Sequence, residues 1–203
     1  MRIYKLTSQF NTTNGGFEWT PKKWKKVSGI GELCTSGWLH AYQDPFVAVL
    51  MNTVHACIDN PKLWEAEGRG EFKDDNGLKC GYSQMRIIKE IPLPKISSED
   101  RIKIAIYCAI LSGEDSEDFI SWALNWLDGS DRSKKSAYRV EWLGRWPAHL
   151  AVGVTLELTR KNYEAVEFLV ARAIDSASKS GQRIPGFNLK DIIYEIVPKA
   201  KRK

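Results

Sequence analysis

The chain changes its hydrophobic period once, near Pro92–Asp100, and that change constrains the fold more than any other feature. Before it, apolar residues sit in short alternating runs: "RIYKLT" (Arg2–Thr7), "GWLHAY" (Gly37–Tyr42), Leu63–Glu67 and Gln84–Ile91. Such runs suit strands, whose side chains alternate between two faces. After it, apolar residues recur every three or four positions, as in Ile102, Ala105, Ile106, Ala109 and Ile110. That is the spacing of one helix face. The expectation is an α+β chain, with a small mixed sheet plus helix over 1–96 and an antiparallel helical bundle over 97–203. "IPLPKISSED" reads as the linker. It is short and carries prolines, and each part is small, so the two parts are expected to pack together.

Local signals place the elements. Asn14-Gly15-Gly16 and Asp75-Asn76-Gly77 read as turns, because glycine accepts positive φ. Asp44-Pro45 predicts an N-cap and first turn, with Phe46, Val49, Leu50 and Val54 on one helix face. Ser97 or Ser98, Ser116, Asp131 or Ser133, Pro147, Asn162 and Asn188 open six further helices. Gly113, Gly129, Gly181 and Pro198 supply stops. In the second of these six, Phe119, Ile120, Ala123, Leu124 and Leu127 are the expected contact side.

No apolar run approaches the roughly 20 residues that span a bilayer, and "MRIYKLTSQF" lacks a secretory apolar stretch. A cytosolic location with no membrane partner is expected. Cys34, Cys57, Cys80 and Cys108 form no CxxC pair and read as free, mostly buried thiols. The net charge of +5 gathers in "PKKWKK" (Pro21–Lys26) and the terminal "KAKRK", which read first as a solvated loop and a frayed tail. Lys22, Lys23, Lys25 and Lys26 around Trp24 also make a nucleic-acid partner conceivable, through phosphate pairing and base stacking. Eight tryptophans are many for 203 residues. Some should be exposed and serve binding, because Trp is enriched at interface hot spots.

Cys34 to Cys57 holds two of the three histidines. Cys34 with His40 or His55 has the residue types of a thiol–base pair, but nearness in sequence carries no geometry. His55 and Cys57, two apart on a predicted helix, point different ways, so no metal site is expected. Glu65 and Glu67 share one strand face, roughly 7 Å apart. They fit an edge or a cleft, where one could act as a base. In "CTSGWLHAY", Trp38, His40 and Tyr42 should share a face that lines a cleft rimmed by Glu65 and Glu67. Leu39 and Ala41 should pack on the helix after Pro45. Glu67 is the expected hydrogen-bond partner of His40 and would raise its pKa. In the plainer alternative, that face is core and His40 bonds to backbone.

Two resemblances add to this reading. A Glu-x-Glu after a Cys-Thr-Ser strand is similar to the clostridial-type mono-ADP-ribosyltransferases, over about the first 95 residues. That resemblance implies Arg2 gripping a nicotinamide dinucleotide (NAD), Thr35 and Ser36 shaping the pocket, and Glu65 and Glu67 supplying the catalytic carboxylate. Outside it no cofactor is implied. Arg2 lies almost at the terminus, and Ser36 to Glu65 is a tight gap for the family. Most of the chain, including "GWLHAYQDPFVAVLMNTVHACIDNPKLWEAEGRGE" and "NWLDGSDRSKKSAY", resembles a family of small phage and prophage proteins without an assigned activity. This implies a phage-encoded accessory protein in the host cytosol that binds a host protein, in counter-defence or host takeover. The transferase and nucleic-acid readings are the alternatives.

Overall fold

The computed structural model describes residues 2–181 and 188–197; the "KAKRK" tail and Pro198 lie outside them. The chain is α+β and divides into two compact units, Met1–Lys95 and Ile96–Lys203.

The first unit is built on one long hairpin. Strands β6 (Lys62–Asp74) and β7 (Cys80–Ile91) pair antiparallel. The turn between them uses Asn76 and Gly77 at positive φ, with Asp75 N–H bonded to the Lys79 carbonyl at 2.8 Å. Both strands run further than their alternating cores predict. Part of the reason is Gly68: a Cβ there would lie 2.4 Å from the Tyr82 ring, so its absence lets the ring cross the strand. Strand β1 (Arg2–Thr7) flanks β6, and β4 (Lys25–Lys26) and β5 (Leu39–Ala41) flank β7. Thr12–Thr13 (β2) and Phe17–Glu18 (β3) form a separate small pair. Tyr42 then exchanges two backbone hydrogen bonds with Tyr4, at 2.7 and 2.8 Å. The hydrogen-bonded path β1–β6–β7–β5 thus returns to β1 and the sheet closes on itself.

The closed sheet encloses Ile3, Trp19, Leu39, Ala41, Trp64, Ala66, Cys80, Tyr82, Met85 and Ile87. Burying Ile3, Leu39, Met85 and Ile87 of this set stabilises by about 1.5–3 kcal/mol each. Leu39 and Ala41 therefore pack into the sheet interior, not on the following helix as expected. That helix, α1 (Pro45–Met51), forms where Asp44 caps it: the Asp44 carboxylate accepts from Phe46 N at 2.8 Å and Val47 N at 3.3 Å. It packs on β1 and continues as a π-helical turn, Asn52–Ala56, ended by Cys57 at positive φ. Burial pushes the Cys80 thiol up to about 12, with Asp74 adding to the rise and Lys5 opposing it. Cys34 and Cys57 are exposed, so only Cys80 and Cys108 meet the expectation of buried thiols.

The second unit is helical: α2 (Ser98–Leu111), α3 (Glu117–Asp128), α4 (Lys134–Val140), α5 (Trp146–Thr159), α6 (Tyr163–Gly181) and α7 (Leu189–Ile196). Ser97, Ser116, Ser133 and Asn188 each accept a backbone N–H of the first turn. Helix α2 packs on α5, α6 and α7. In α3 the buried stripe is Phe119, Trp122, Ala123 and Trp126, while Leu124 is exposed. Both stripes have helical spacing; the one carrying two tryptophans removes more apolar surface from water, and it is the one buried. Arg101, buried in α2, pairs with Glu167 of α6 at 3.1 Å. No helix among the described residues is long and apolar enough to cross a membrane.

Candidate functional site

Strand register assembles a charged face on the outside of the sheet. Because Trp64, Ala66 and Gly68 face inward, the intervening Glu65, Glu67 and Arg69 face outward. Glu67 lies opposite Arg2 on one side and Arg86 on the other. Arg86 donates to the same Glu67 oxygen, Oε2, from Nε at 2.8 Å and Nη2 at 2.6 Å. Arg2 pairs with Glu65 Oε1. Trp24, half-buried just before β4, carries the Arg69 guanidinium 3.9 Å and the Arg86 guanidinium 4.9 Å from its ring centroid. Arg69 is held in turn by Gln84, Nε to Oε1 at 3.0 Å. Arg2, Trp24, Glu65, Glu67, Arg69 and Ile88 line an open depression of about 470 Å³. Ile88 reaches it through a register shift in β7 beside Ala66.

Four of the expected site residues therefore meet: Arg2, Trp24, Glu65 and Glu67. The basic run around Trp24 is not only a loop. Lys25 and Lys26 pair with Met85 and Gln84, and Lys22 N–H bonds the Ile87 carbonyl at 2.7 Å. Lys25 turns toward the core face, 5.5 Å from the Phe17 ring. Lys22, Lys23 and Lys26 are exposed.

The remaining expected residues lie elsewhere. Trp38 precedes β5 and is buried, its Nε1 donating to the Gly31 carbonyl at 3.0 Å. Tyr42 is buried in its bridge to Tyr4, and burial raises its phenol pKa. Thr35 Oγ1 bonds the Glu32 carbonyl of its own turn at 2.7 Å, and Ser36 is exposed in the same turn. None of these lines the depression. His40 is half-buried, and its Nε2 bonds the Leu33 carbonyl, not Glu67. The reason is local. Gly81, opposite His40, has no Cβ, and Leu33 and Trp38 close over that space; a Cβ would lie 2.6 Å from Leu33 Cδ1. The Leu33 carbonyl then reaches the imidazole, while Glu67 is taken by Arg86 across the register. The His40 pKa is lowered, chiefly by burial, with Lys5 and Lys79 adding to it against the Leu33 bond. This reverses the expected rise. Cys34 accepts instead from Lys79 Nζ at 3.0 Å.

Sequence reasoning missed Arg69 and Arg86. The alternation Glu65, Glu67, Arg69 was available as a signal, since all three share a strand face. It also missed a surface in the helical unit. Trp142 is 76% exposed and Trp146 55% exposed, with Tyr138 and Leu143 also exposed. The His149 ring lies against both tryptophans, 4.3 and 5.2 Å between centroids, and its Nδ1 donates to the Glu141 carbonyl at 2.7 Å. "WLGRW" is the signal: a tryptophan pair flanking a break between helices. Among the described residues no three His, Cys, Asp or Glu side chains cluster as a metal site would require. No protein-family model, no curated protein and no solved structure matches the chain.

Proposed function

We propose that this chain is a phage-encoded accessory protein that binds a host protein in the host cytosol, using the Tyr138–Trp146 surface of its helical unit. One observation carries the reading: two tryptophans stand 76% and 55% exposed, each with its ring tilted against His149. Exposing so much indole to water is unfavourable unless a partner covers it. Contact with the His149 ring also restricts the rotamers of both tryptophans before any partner arrives, which lowers the entropy lost on binding. Arg160, bonded to the Tyr138 hydroxyl at 3.2 Å, supplies a polar rim of the kind interfaces carry. The test is capture from host lysate with the wild type and with a Trp142→Ala/Trp146→Ala variant, read by mass spectrometry. A discrete partner retained by the first and lost by the second supports the reading. Equal capture by both defeats it, as does light scattering that shows the surface joining two copies of the chain.

A second reading has one observation in its favour. Arg2, Glu65 and Glu67, the residues a nicotinamide-dependent transferase would need, line one depression. Against it, each carboxylate is engaged by an arginine, and Thr35 and Ser36 lie outside the lining. Calorimetry with the oxidised dinucleotide separates the readings: binding by wild type that is lost in Arg2→Ala and kept in Glu67→Gln favours the enzyme.

A further inference from the structure

We infer that the outer sheet face around Trp24 binds single-stranded nucleic acid, with a base in the depression and the phosphates along Lys22, Lys23, Lys26 and Arg69. The first support is charge. Arg2 and Arg86 are each offset by a glutamate. Lys22, Lys23, Lys26 and Arg69 have no carboxylate partner among the described residues, and both Arg69 Nη atoms are without a hydrogen bond there. The next carboxylate along β6, Glu71, lies within the register shift between Arg69 and Phe72, beside Gly29. Four cations without a carboxylate partner among the described residues thus lie on Trp24's own segment and on the strand beside it, one of them, Arg69, against the Trp24 ring.

The second support is how those cations are held. Lys22 is anchored to β7 through its backbone, and Lys26 is in register with Gln84. Arg69 is fixed against Trp24 and Gln84. Lys22 and Lys23 sit in the turn that enters β4, with Lys22 at positive φ, and Lys26 lies on the strand itself, so the three lysines are spaced along an ordered edge that phosphates of a single strand can follow. Such a track of cations on an ordered backbone beside an aromatic is how single strands are held without sequence readout.

The third support disfavours a simple anion in the hollow. The hollow itself contains Glu65 and Glu67, and the second oxygen of each, Glu65 Oε2 and Glu67 Oε1, has no partner among the described residues. These two oxygens disfavour an anion placed directly against them, while Arg69 at the edge of the hollow remains open to a phosphate. A base is planar and uncharged, can lie against Ile88 and the guanidinium plane that Trp24 holds, and can donate its amino hydrogens to these oxygens. A volume of about 470 Å³ admits one.

The test uses the full chain and labelled DNA and RNA oligomers of about 12 nucleotides, followed by anisotropy at rising salt. Binding of either oligomer, with a log–log salt slope of about −2 to −3, is expected for three or four phosphate contacts. Lys22→Gln/Lys23→Gln/Lys26→Gln should make the slope clearly shallower. Trp24→Ala should weaken binding about tenfold with the slope nearly kept, because stacking releases no counterions. Circular dichroism must show both variants folded; Trp24→Phe, which keeps a ring, should recover part of the loss. The Trp142→Ala/Trp146→Ala variant should bind oligomer like wild type, which separates this site from the protein-binding surface. No binding by the wild type, equal binding of duplex, or a Trp24→Ala variant with unchanged affinity would each overturn the inference.

Discussion

Lys5 is a cation inside the closed sheet, and the stability of the first unit should register its charge. It stands opposite Trp64, is 8% exposed, and donates from Nζ to the His40 carbonyl at 2.5 Å. Its ammonium also lies 5.0 Å from the Trp19 ring. Burial lowers its pKa from 10.5 to about 8, against a smaller opposing pull from Cys80. A base with a folded pKa below its unfolded one binds fewer protons when folded, so stability rises with pH across the interval from about 8 to 10.5. The shift is worth about 3 kcal/mol of penalty at neutral pH, from roughly 1.4 kcal/mol per unit. Integrated between pH 7 and 9.5, about 2 kcal/mol of it should be relieved. Buried Cys80 and Tyr42, with raised pKa values, push the other way at high pH, so wild type alone does not isolate the effect. Lys5→Met does, because the difference between the two proteins largely cancels the common groups. Urea unfolding of both at pH 7 and pH 9.5 should show wild type gaining about 2 kcal/mol relative to Lys5→Met. A difference that stays constant with pH would refute the burial argument.

Other substitutions probe the register directly. His40 and Glu67 have separate partners, so a His40→Asn, Glu67→Gln double-mutant cycle should couple by less than about 0.5 kcal/mol; stronger coupling would revive the predicted hydrogen bond. Because the His40 pKa is lowered, its folded form binds fewer protons below the ordinary histidine range, and wild type should lose stability relative to His40→Asn as pH falls through 6.5. Gly68→Ala drives a methyl into the Tyr82 ring and should destabilise by about 2–3 kcal/mol in denaturant melts, with Tyr82→Leu recovering part of it; no loss would mean the ring does not cross at Gly68.

The sequence was most readable where structure is set by near neighbours. The Asp44–Pro45 cap, the serine caps of α2 and α3, and the Asp75–Gly77 turn each depend on residues within four positions, and each forms as read. The helical period of the second half likewise reports local spacing. It gave no means of choosing between the two stripes of α3, which only tertiary packing decides. The same limit explains the sheet. Lys25–Lys26 is strand because β7 offers it an edge, not because two lysines favour strand. The partner of His40 followed from Gly81, forty-one residues away, and the partner of Glu67 from which residue of β7 lay opposite it. Arg2, Glu65, Glu67 and Trp24 were identifiable as chemistry-bearing types, yet their meeting with Arg69 and Arg86 depends on a register that no local pattern encodes.

The most direct measurement of the protein-binding claim is a calorimetric titration of the captured host protein, once purified, into wild type, Trp142→Ala and Trp146→Ala. Removing a hot-spot tryptophan costs about 2 kcal/mol or more, roughly a thirtyfold weaker Kd. Both single variants should show a loss of that order with unchanged melting temperature, since the two rings are exposed and contribute little to the fold. A Kd that stays within about twofold of wild type for both variants would contradict the claim that this surface is what the protein binds with.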